Sequence, residues 1–149
     1  MFKQMTAVSG RGSQADKQKE GDQTTPLGLF YITHKNQNSS FYRSLGISYP
    51  NEEDASRGLK AGLINLKQFQ AIRNAIKEKR TPPQDTGLGS HIMLHGEPNS
   101  LNSLDFLGRL KSKALSMMDW TNGCVAVSNE DMLPLFENVE VQSSITILP

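Results

Sequence analysis

In the first third of the chain, hydrophobic and polar residues alternate, which is typical of β-strands with one buried face. Glycines, prolines and an asparagine-rich turn at residues 35–40 interrupt the alternation. Residues 13–23 are charged and carry almost no apolar side chains, which predicts a solvated loop. The pattern predicts three strands, at residues 2–9, 29–33 and 41–49.

The middle of the chain changes to a helical pattern. Asn51 is expected to cap a short helix over residues 52–57, because the acidic residues of its first turn suit the helix dipole. Apolar residues three and four positions apart predict an amphipathic helix over residues 65–79. We expect both helices to pack over a sheet.

The last third of the chain is expected to return to strands. Residues 90–95 have the length of a strand, and the two-residue period places His91, Met93 and His95 on one face. The polar stretch that ends at residue 119 is compatible with a loop or a weak helix. The remaining predicted elements are a short apolar segment at 124–127, a helix that begins at Ser128, and a strand at 139–148.

Composition indicates a single globular domain and excludes several classes of protein. The chain has 149 residues and no internal repeat or linker, and a domain of this size buries roughly 70% of its unfolded surface. We therefore predict one α+β, β-rich domain over residues 1–149. A formal net charge of +1 argues against a nucleic-acid-binding protein. No apolar run approaches the roughly 20 residues of a membrane-spanning helix.

The single cysteine, Cys124, excludes a disulfide within the chain and a multi-cysteine zinc site. His91 and His95 have no third ligand at a suitable spacing, so no metal is expected. A phosphate-binding loop motif is also missing, and no cofactor is predicted. The first residues lack the charged and apolar segments of a secretory signal.

The most informative tract surrounds Cys124. A thiol becomes a nucleophile when a nearby imidazole or positive charge favours the thiolate. Gly123 lacks a Cβ, so a substrate carbonyl can approach the backbone N–H groups of residues 122–124, which would stabilise a developing oxyanion. The alternative is that Cys124 is a small buried hydrophobic residue and that the nearby histidines are structural.

Several short motifs extend this tract. His95-Gly96 precedes Thr121-Asn122-Gly123-Cys124, and Asn129 follows the cysteine by five positions. Residues 21–28 read Gly-Asp-Gln-Thr-Thr-Pro-Leu-Gly. Together these motifs resemble the L,D-transpeptidase catalytic domain of the YkuD-like family, and residues 44–51 resemble its YafK-like murein branch. The resemblance covers nearly the whole chain.

The resemblance implies a mixed β-sheet or sandwich core with packed helices, and acyl transfer between peptidoglycan stem peptides. In the family, a cysteine attacks the carbonyl of the third residue, a diamino acid, of a tetrapeptide stem. It expels D-Ala and forms a thioester, which an amine resolves. Carried over to this chain, the nucleophile is Cys124, and His95 is the base and then the acid. The Gly96 carbonyl is expected to orient the imidazole, and the N–H groups of Gly123 and Cys124 to form the oxyanion hole.

The chain departs from the family pattern in three places. Asn122 stands where many members have a second histidine, and Ala126 stands where many have arginine. Cys124 follows His95 by 29 positions (124 − 95), which exceeds the short spacer common in the family. An insertion over about residues 101–118 would account for the difference, and such an insertion is suited to a lid over the substrate groove.

Five further residues are candidates for substrate contact. Trp120 is interpreted as a core residue or a groove wall, and Tyr49 as a cleft residue or a strand-end aromatic. His91 is interpreted as a substrate contact or a partner of His95, but a packed structural histidine is favoured. The full set is Asn122, Thr121, Trp120, Tyr49 and His91.

Three functions are compatible with these residues. The first is transpeptidation, which forms crosslinks or attaches a protein amine to the wall. The second uses water to resolve the same thioester, as in an L,D-carboxypeptidase or an amidase that releases wall-linked peptide or lipoprotein. The third is a non-catalytic wall-binding module. The resemblance implies stem peptides or a wall-linked lipoprotein as partners, a carbapenem target, and a location in the periplasm or bacterial cell envelope.

Overall fold

A computed structural model describes residues 4–99 and 122–149 of the chain. Within these residues, five strands form one sheet in the order β4-β3-β2-β1-β5. Only the β3–β4 pair is parallel, and the other neighbours run antiparallel. The elements are β1 (Gly28–Ser39), β2 (Tyr42–Ile47), α1 (Glu52–Lys60), α2 (Leu66–Lys77), β3 (Met93–His95), β4 (Val125–Ala126), α3 (Asn129–Asn138) and β5 (Ser144–Ile147).

The mixed sheet and its helices confirm the predicted β-rich α+β class. The helices begin where their sequences provide caps. The Asn51 side chain accepts a hydrogen bond from the Asp54 N–H and forms a capping box with it, and Asn65 begins α2 in the same way. Ser128 caps α3, as predicted. No helix among the described residues is both long enough and apolar enough to cross a bilayer.

One hydrophobic core connects the sheet to all three of these helices. Buried residues of β1 and β2 contribute most of its strand side chains, and α1, α2 and α3 each add at least one. Apolar surface removed from water stabilises the fold by about 25 cal/mol per Å². Its members include Phe30, Ile32, Leu45, Ile47, Tyr49, Ala55, Ile72, Leu94, Val125, Val127, Met132 and Phe136.

Several predicted boundaries are wrong. The asparagine-rich segment predicted as a turn at 35–40 continues β1 to Ser39, because it pairs with β2. In the described part of predicted strand 2–9, Val8 forms an isolated bridge with Ala126. The strand predicted at 90–95 is limited to β3, because His91 has a φ of +57° and leaves the extended conformation.

The loop predicted to be solvated, residues 13–23, is organised by buried charge. Lys17 is only 3% exposed, and its ammonium lies 2.6 Å from a carboxylate oxygen of Asp22. The Asp22 carboxylate also accepts hydrogen bonds from the backbone N–H groups of Gln18, Lys19 and Thr24. Burial raises the pKa of Asp22, but the hydrogen bond from Lys17 and those from the backbone outweigh burial, and the pKa is lowered overall. The sequence pattern missed this because it counts charges without showing which of them pair.

Tyr49 belongs to the core, so its prediction as a cleft residue is wrong. The side chain is 1% exposed and packs against Phe30, with ring centroids 6.4 Å apart. Its hydroxyl donates a hydrogen bond of 2.7 Å to the Leu88 carbonyl. An aromatic residue at a strand end satisfies its one polar group in this way while the ring is buried.

We expect Tyr49→Phe to lower the free energy of unfolding by about 1–3 kcal/mol, because the buried Leu88 carbonyl loses its donor. Urea denaturation followed by circular dichroism measures the change. Tyr42→Phe, at a half-buried tyrosine, is the matched control and should change stability by less than about 0.5 kcal/mol. Equal stability of the Tyr49→Phe variant and the wild type would contradict a contribution from this hydrogen bond.

Candidate active site

The parallel pairing of β3 with β4 brings the two main candidate residues together. Leu94 is aligned with Val125, and His95 with Ala126. Leu94 and Val125 lie in the core. Because side chains alternate along a strand, His95 lies on the opposite face of the sheet, and Cys124 is on that same face next to the start of β4. The pairing therefore brings Cys124, one residue before β4, beside the strand that carries His95, and the alternation of side chains assigns both to one face.

Cys124 is partly buried, and its sulfur is held by the segment that leads into β3. The thiol donates to the His91 carbonyl at 3.5 Å. Burial raises the pKa of the Cys124 thiol, and a hydrogen bond with the Met93 backbone and the charge of Lys17 oppose this in part. At neutral pH the resting residue is therefore mainly a protonated thiol.

His95 is 4% exposed and is fixed by its own neighbour in the chain. Its Nδ1 lies 2.7 Å from the Gly96 carbonyl oxygen. A carbonyl only accepts, so Nδ1 carries the proton of the neutral ring and Nε2 is the nitrogen suited to accept one. Burial lowers the pKa of His95, and the bond to Gly96 raises it in part. The resting imidazole is therefore neutral. The hydrogen bond expected of the Gly96 carbonyl is present.

Gly123 has the backbone conformation that its position demands. Its φ is +122°, which side-chain-bearing residues rarely adopt, and an added Cβ would lie 2.9 Å from the Thr24 carbonyl oxygen. The hydroxyl of Thr25 donates to the Cys124 carbonyl at 3.5 Å and accepts from the Gly10 N–H at 2.7 Å. Residues 24 and 25 therefore hold the Gly123–Cys124 backbone from one side.

Gly96 is packed tightly against the first turn of α3. A Cβ on Gly96 would lie 2.5 Å from Asn129 Oδ1, 3.2 Å from the Tyr42 Cβ and 3.3 Å from the Phe41 carbonyl oxygen. Asn129 Oδ1 accepts a hydrogen bond from the Glu97 N–H at 2.9 Å. This contact ties the end of β3 to the helix that follows β4, and it gives the asparagine of the sequence motif a structural role.

The other candidate substrate contacts have different positions. Asn122 is exposed beside Gly123. His91 is also exposed, with its Nδ1 2.6 Å from the Ser90 hydroxyl, so the favoured interpretation as a packed histidine is wrong. Its left-handed backbone also removes it from the face of His95, and its contribution to the site is its carbonyl. Thr121, Trp120 and the insertion predicted at 101–118 lie outside the described residues.

Two residues near the site were not predicted. The Phe41 ring lies 4.5 Å from the His95 ring, centroid to centroid, with an angle of 38° between the planes. Lys17 acts on the thiol through its charge. Nothing in the alternating pattern distinguished Phe41, and Lys17 was predicted to lie in a solvated loop. In residues 4–99 and 122–149, no group of three His, Cys, Asp or Glu side chains is arranged to hold a metal.

We expect Gly96→Ala to lower stability by about 1–3 kcal/mol, because its Cβ would overlap Asn129 Oδ1. Asn129→Ala removes that oxygen and also the acceptor of the Glu97 N–H. The double variant should therefore be more stable than the sum of the single effects predicts, by about 0.5–2 kcal/mol. Urea denaturation of the four proteins measures this coupling. If the two changes in the free energy of unfolding were additive, the Asn129 carboxamide would not be the group that excludes a Cβ at Gly96.

Comparison with known proteins identifies the family of this chain. The family model of the YkuD L,D-transpeptidase catalytic domain matches residues 1–147. A solved structure, "Structure of Bdellovibrio bacteriovorus Bd1075", is 20% identical and has a TM-score of 0.45. The alignment covers 89% of this chain and 36% of that one, so this chain spans about a third of that protein's length. No curated protein matches the chain significantly. On the family match, the chain belongs to the YkuD family of L,D-transpeptidase catalytic domains.

Proposed function

We propose that this domain is a peptidoglycan L,D-transpeptidase in which Cys124 forms a thioester with the third residue of a tetrapeptide stem. The observation that carries the proposal is the pairing of β3 with β4, which brings Cys124, one residue before β4, beside the strand that carries His95. Gly123 has a left-handed conformation immediately before the thiol. Membership of the YkuD family supports the same reaction class. The third candidate function, a non-catalytic wall-binding module, gives no reason for this arrangement.

The reaction begins from a neutral pair, because burial raises the pKa of Cys124 and lowers that of His95. The thiol proton passes to Nε2 of His95, so that the sulfur attacks as a thiolate. The Gly96 carbonyl accepts a hydrogen bond from Nδ1–H, and this hydrogen bond becomes stronger when the ring becomes positively charged. This bond favours the imidazolium at the moment it forms and keeps the ring in one orientation.

Attack of the sulfur converts the substrate carbonyl into a tetrahedral oxyanion. We assign the backbone N–H groups of Gly123 and Cys124 as the donors to that oxygen. A glycine at 123 permits the φ of +122° and the close approach of the Thr24 carbonyl that set the direction of this backbone. Collapse of the intermediate breaks the bond to D-Ala, whose nitrogen takes the proton from His95. The products of this half-reaction are free D-Ala and a thioester on Cys124.

The second half-reaction transfers the acyl group to an acceptor. An amine attacks the thioester, and His95 removes a proton from the attacking nitrogen. His95 then gives this proton to the departing sulfur, which restores the Cys124 thiol. We assign the amine of a neighbouring stem peptide as the acceptor. A protein amine, as in attachment of a wall-linked lipoprotein, uses the same steps. Water as acceptor gives the L,D-carboxypeptidase or amidase activity. The location that we propose is the periplasm or cell envelope, because the peptidoglycan substrate lies there.

We expect Cys124→Ala to abolish turnover of purified tetrapeptide muropeptides, since no other described residue replaces the sulfur. Mass spectrometry of the products, with and without an added stem acceptor, measures this. Dimers with release of D-Ala indicate transpeptidation, whereas shortened monomers alone indicate hydrolysis. Circular dichroism of the variant controls for folding. Turnover by a folded Cys124→Ala variant would exclude this residue as the nucleophile, and no product from the wild type would favour the wall-binding module.

We expect a carbapenem to form a covalent adduct on Cys124, and His95→Gln to slow its formation by at least about 100-fold because glutamine cannot accept the thiol proton. Intact mass recorded over time measures the adduct. His34→Gln is the matched control, because His34 lies in β1, away from the site. A wild-type rate in His95→Gln, together with a slow rate in His91→Gln, would assign the base to His91 instead.

A further inference from the structure

Lys17 is a buried cation that the reaction scheme above does not use. Its side chain is 3% exposed, and its ammonium contacts a carboxylate oxygen of Asp22 at 2.6 Å and the Lys19 carbonyl at 3.0 Å. A buried ammonium is costly unless it is paired and hydrogen-bonded. Within the described part of the chain, Lys17 is the buried lysine, whereas Lys19 in the same loop is exposed. A solvated loop has no need to bury a lysine.

Lys17 contacts both segments that hold Cys124. On one side, its partner Asp22 accepts from the Thr24 N–H, and Thr24 and Thr25 pack against Gly123 and Cys124. On the other side, its Cε lies 3.2 Å from the position of a Cβ on Gly89. Gly89 comes two residues before His91, whose carbonyl accepts the thiol hydrogen bond.

The charged groups near the thiol differ in their effect on its pKa. The loop carries Asp16, Lys17, Lys19, Glu20 and Asp22, the approach to β3 carries His91 and His95, and Arg57 of α1 pairs with Asp16. Among these, Lys17 lowers the pKa of Cys124 by its charge, and it opposes the larger effect of burial. The neutral imidazole of His95 carries no charge in the resting state, and its pKa is lowered by burial.

We propose that Lys17 is a positioning residue for Cys124: its buried ammonium, held by Asp22 between residues 22–25 and residues 89–91, stabilises the negative charge that develops on the sulfur. The proposal rests on the proposed function for the identity of the reacting sulfur. It extends that function by adding a fixed cation to the site. The cation acts while the thiol proton moves to His95, and it forms no bond to the substrate.

The test uses alkylation of the single thiol by iodoacetamide, which needs no peptidoglycan. The rate of alkylation follows the thiolate fraction, and intact mass reports one adduct because Cys124 is the only cysteine in the chain. We expect Lys17→Met to slow alkylation at neutral pH by about three- to tenfold, because loss of the cation disfavours the thiolate. The rise of rate with pH should move to higher pH, and the limiting alkaline rate should stay close to that of the wild type.

Two variants separate charge from packing. Lys17→Arg keeps the cation and should restore most of the neutral-pH rate. Lys19→Met removes an exposed cation from the same loop and should leave the profile unchanged. A purely structural role would instead lower the alkaline rate too, since a displaced Cys124 would react differently at every pH. A Lys17→Met profile that coincides with the wild type, in a folded protein, would overturn the proposal.

Lys17→Met leaves the partly buried Asp22 carboxylate without its cation, so this variant is at risk of unfolding. Lys17→Met combined with Asp22→Asn removes both charges and provides the second test. We expect the double variant to alkylate more slowly than the wild type at neutral pH, and an unchanged profile would again overturn the proposal. The alkylation assay measures thiol reactivity and is independent of the muropeptide assay. Failure of the muropeptide assay would count against the transpeptidase function and not against the effect of Lys17 on the thiol.

Discussion

The parallel pairing of β3 with β4 is the constraint on which the site depends. It aligns Leu94 with Val125, and the Val127 N–H continues the ladder by donating to the His95 carbonyl. Parallel neighbours require a crossover connection between them, so this contact joins parts of the chain that are distant in sequence. The register of this pairing determines which side chains of both strands lie on each face of the sheet, because a shift by one residue would turn every side chain to the other face.

The surrounding structure holds that pairing in place from several sides. Val8 exchanges two backbone hydrogen bonds with Ala126 on the far side of β4. Asn129 connects α3 to the end of β3 through the Glu97 N–H. The Phe41 ring packs on His95 from the β1–β2 turn. Each contact is weak by itself, but together they allow the residues around Cys124 to keep unusual torsions and buried polar groups.

A charged network lies behind the site and reaches α1. Arg57 pairs with Asp16 and Asp54 and also donates to the Lys17 carbonyl. Burial raises the pKa of Asp54 to about 6, although hydrogen bonds from Asn51 and Arg57 oppose this. Asp54 is buried, whereas Arg57 and Asp16 are partly exposed, so removal of Arg57 would leave the buried Asp54 carboxylate without a compensating charge. The loop that carries Lys17 is thus ordered by electrostatics rather than by apolar packing.

Features that depend on neighbours in the chain were predictable from the sequence. The caps at Asn51 and Ser128 follow from residues three positions apart, and the bond from His95 to the Gly96 carbonyl joins adjacent residues. Features that depend on burial were predicted less well. Tyr49 has the chemistry of a groove residue but is buried in the core, and the run of asparagines reads as a turn but pairs as a strand. Local pattern contains no information about which distant segment covers a residue.

The sequence by itself determined the reactive groups: one thiol, a glycine before it, and a histidine followed by glycine, all of which are covalent facts of the chain. Tertiary structure decided their environment. The pairing of β3 with β4 brought together the segments that carry the thiol and the imidazole. Burial raised the pKa of Cys124 and lowered the pKa of His95, and the folded loop buried the ammonium of Lys17. Position and protonation depend on desolvation and on charges from remote segments, and these exist only once the chain is folded.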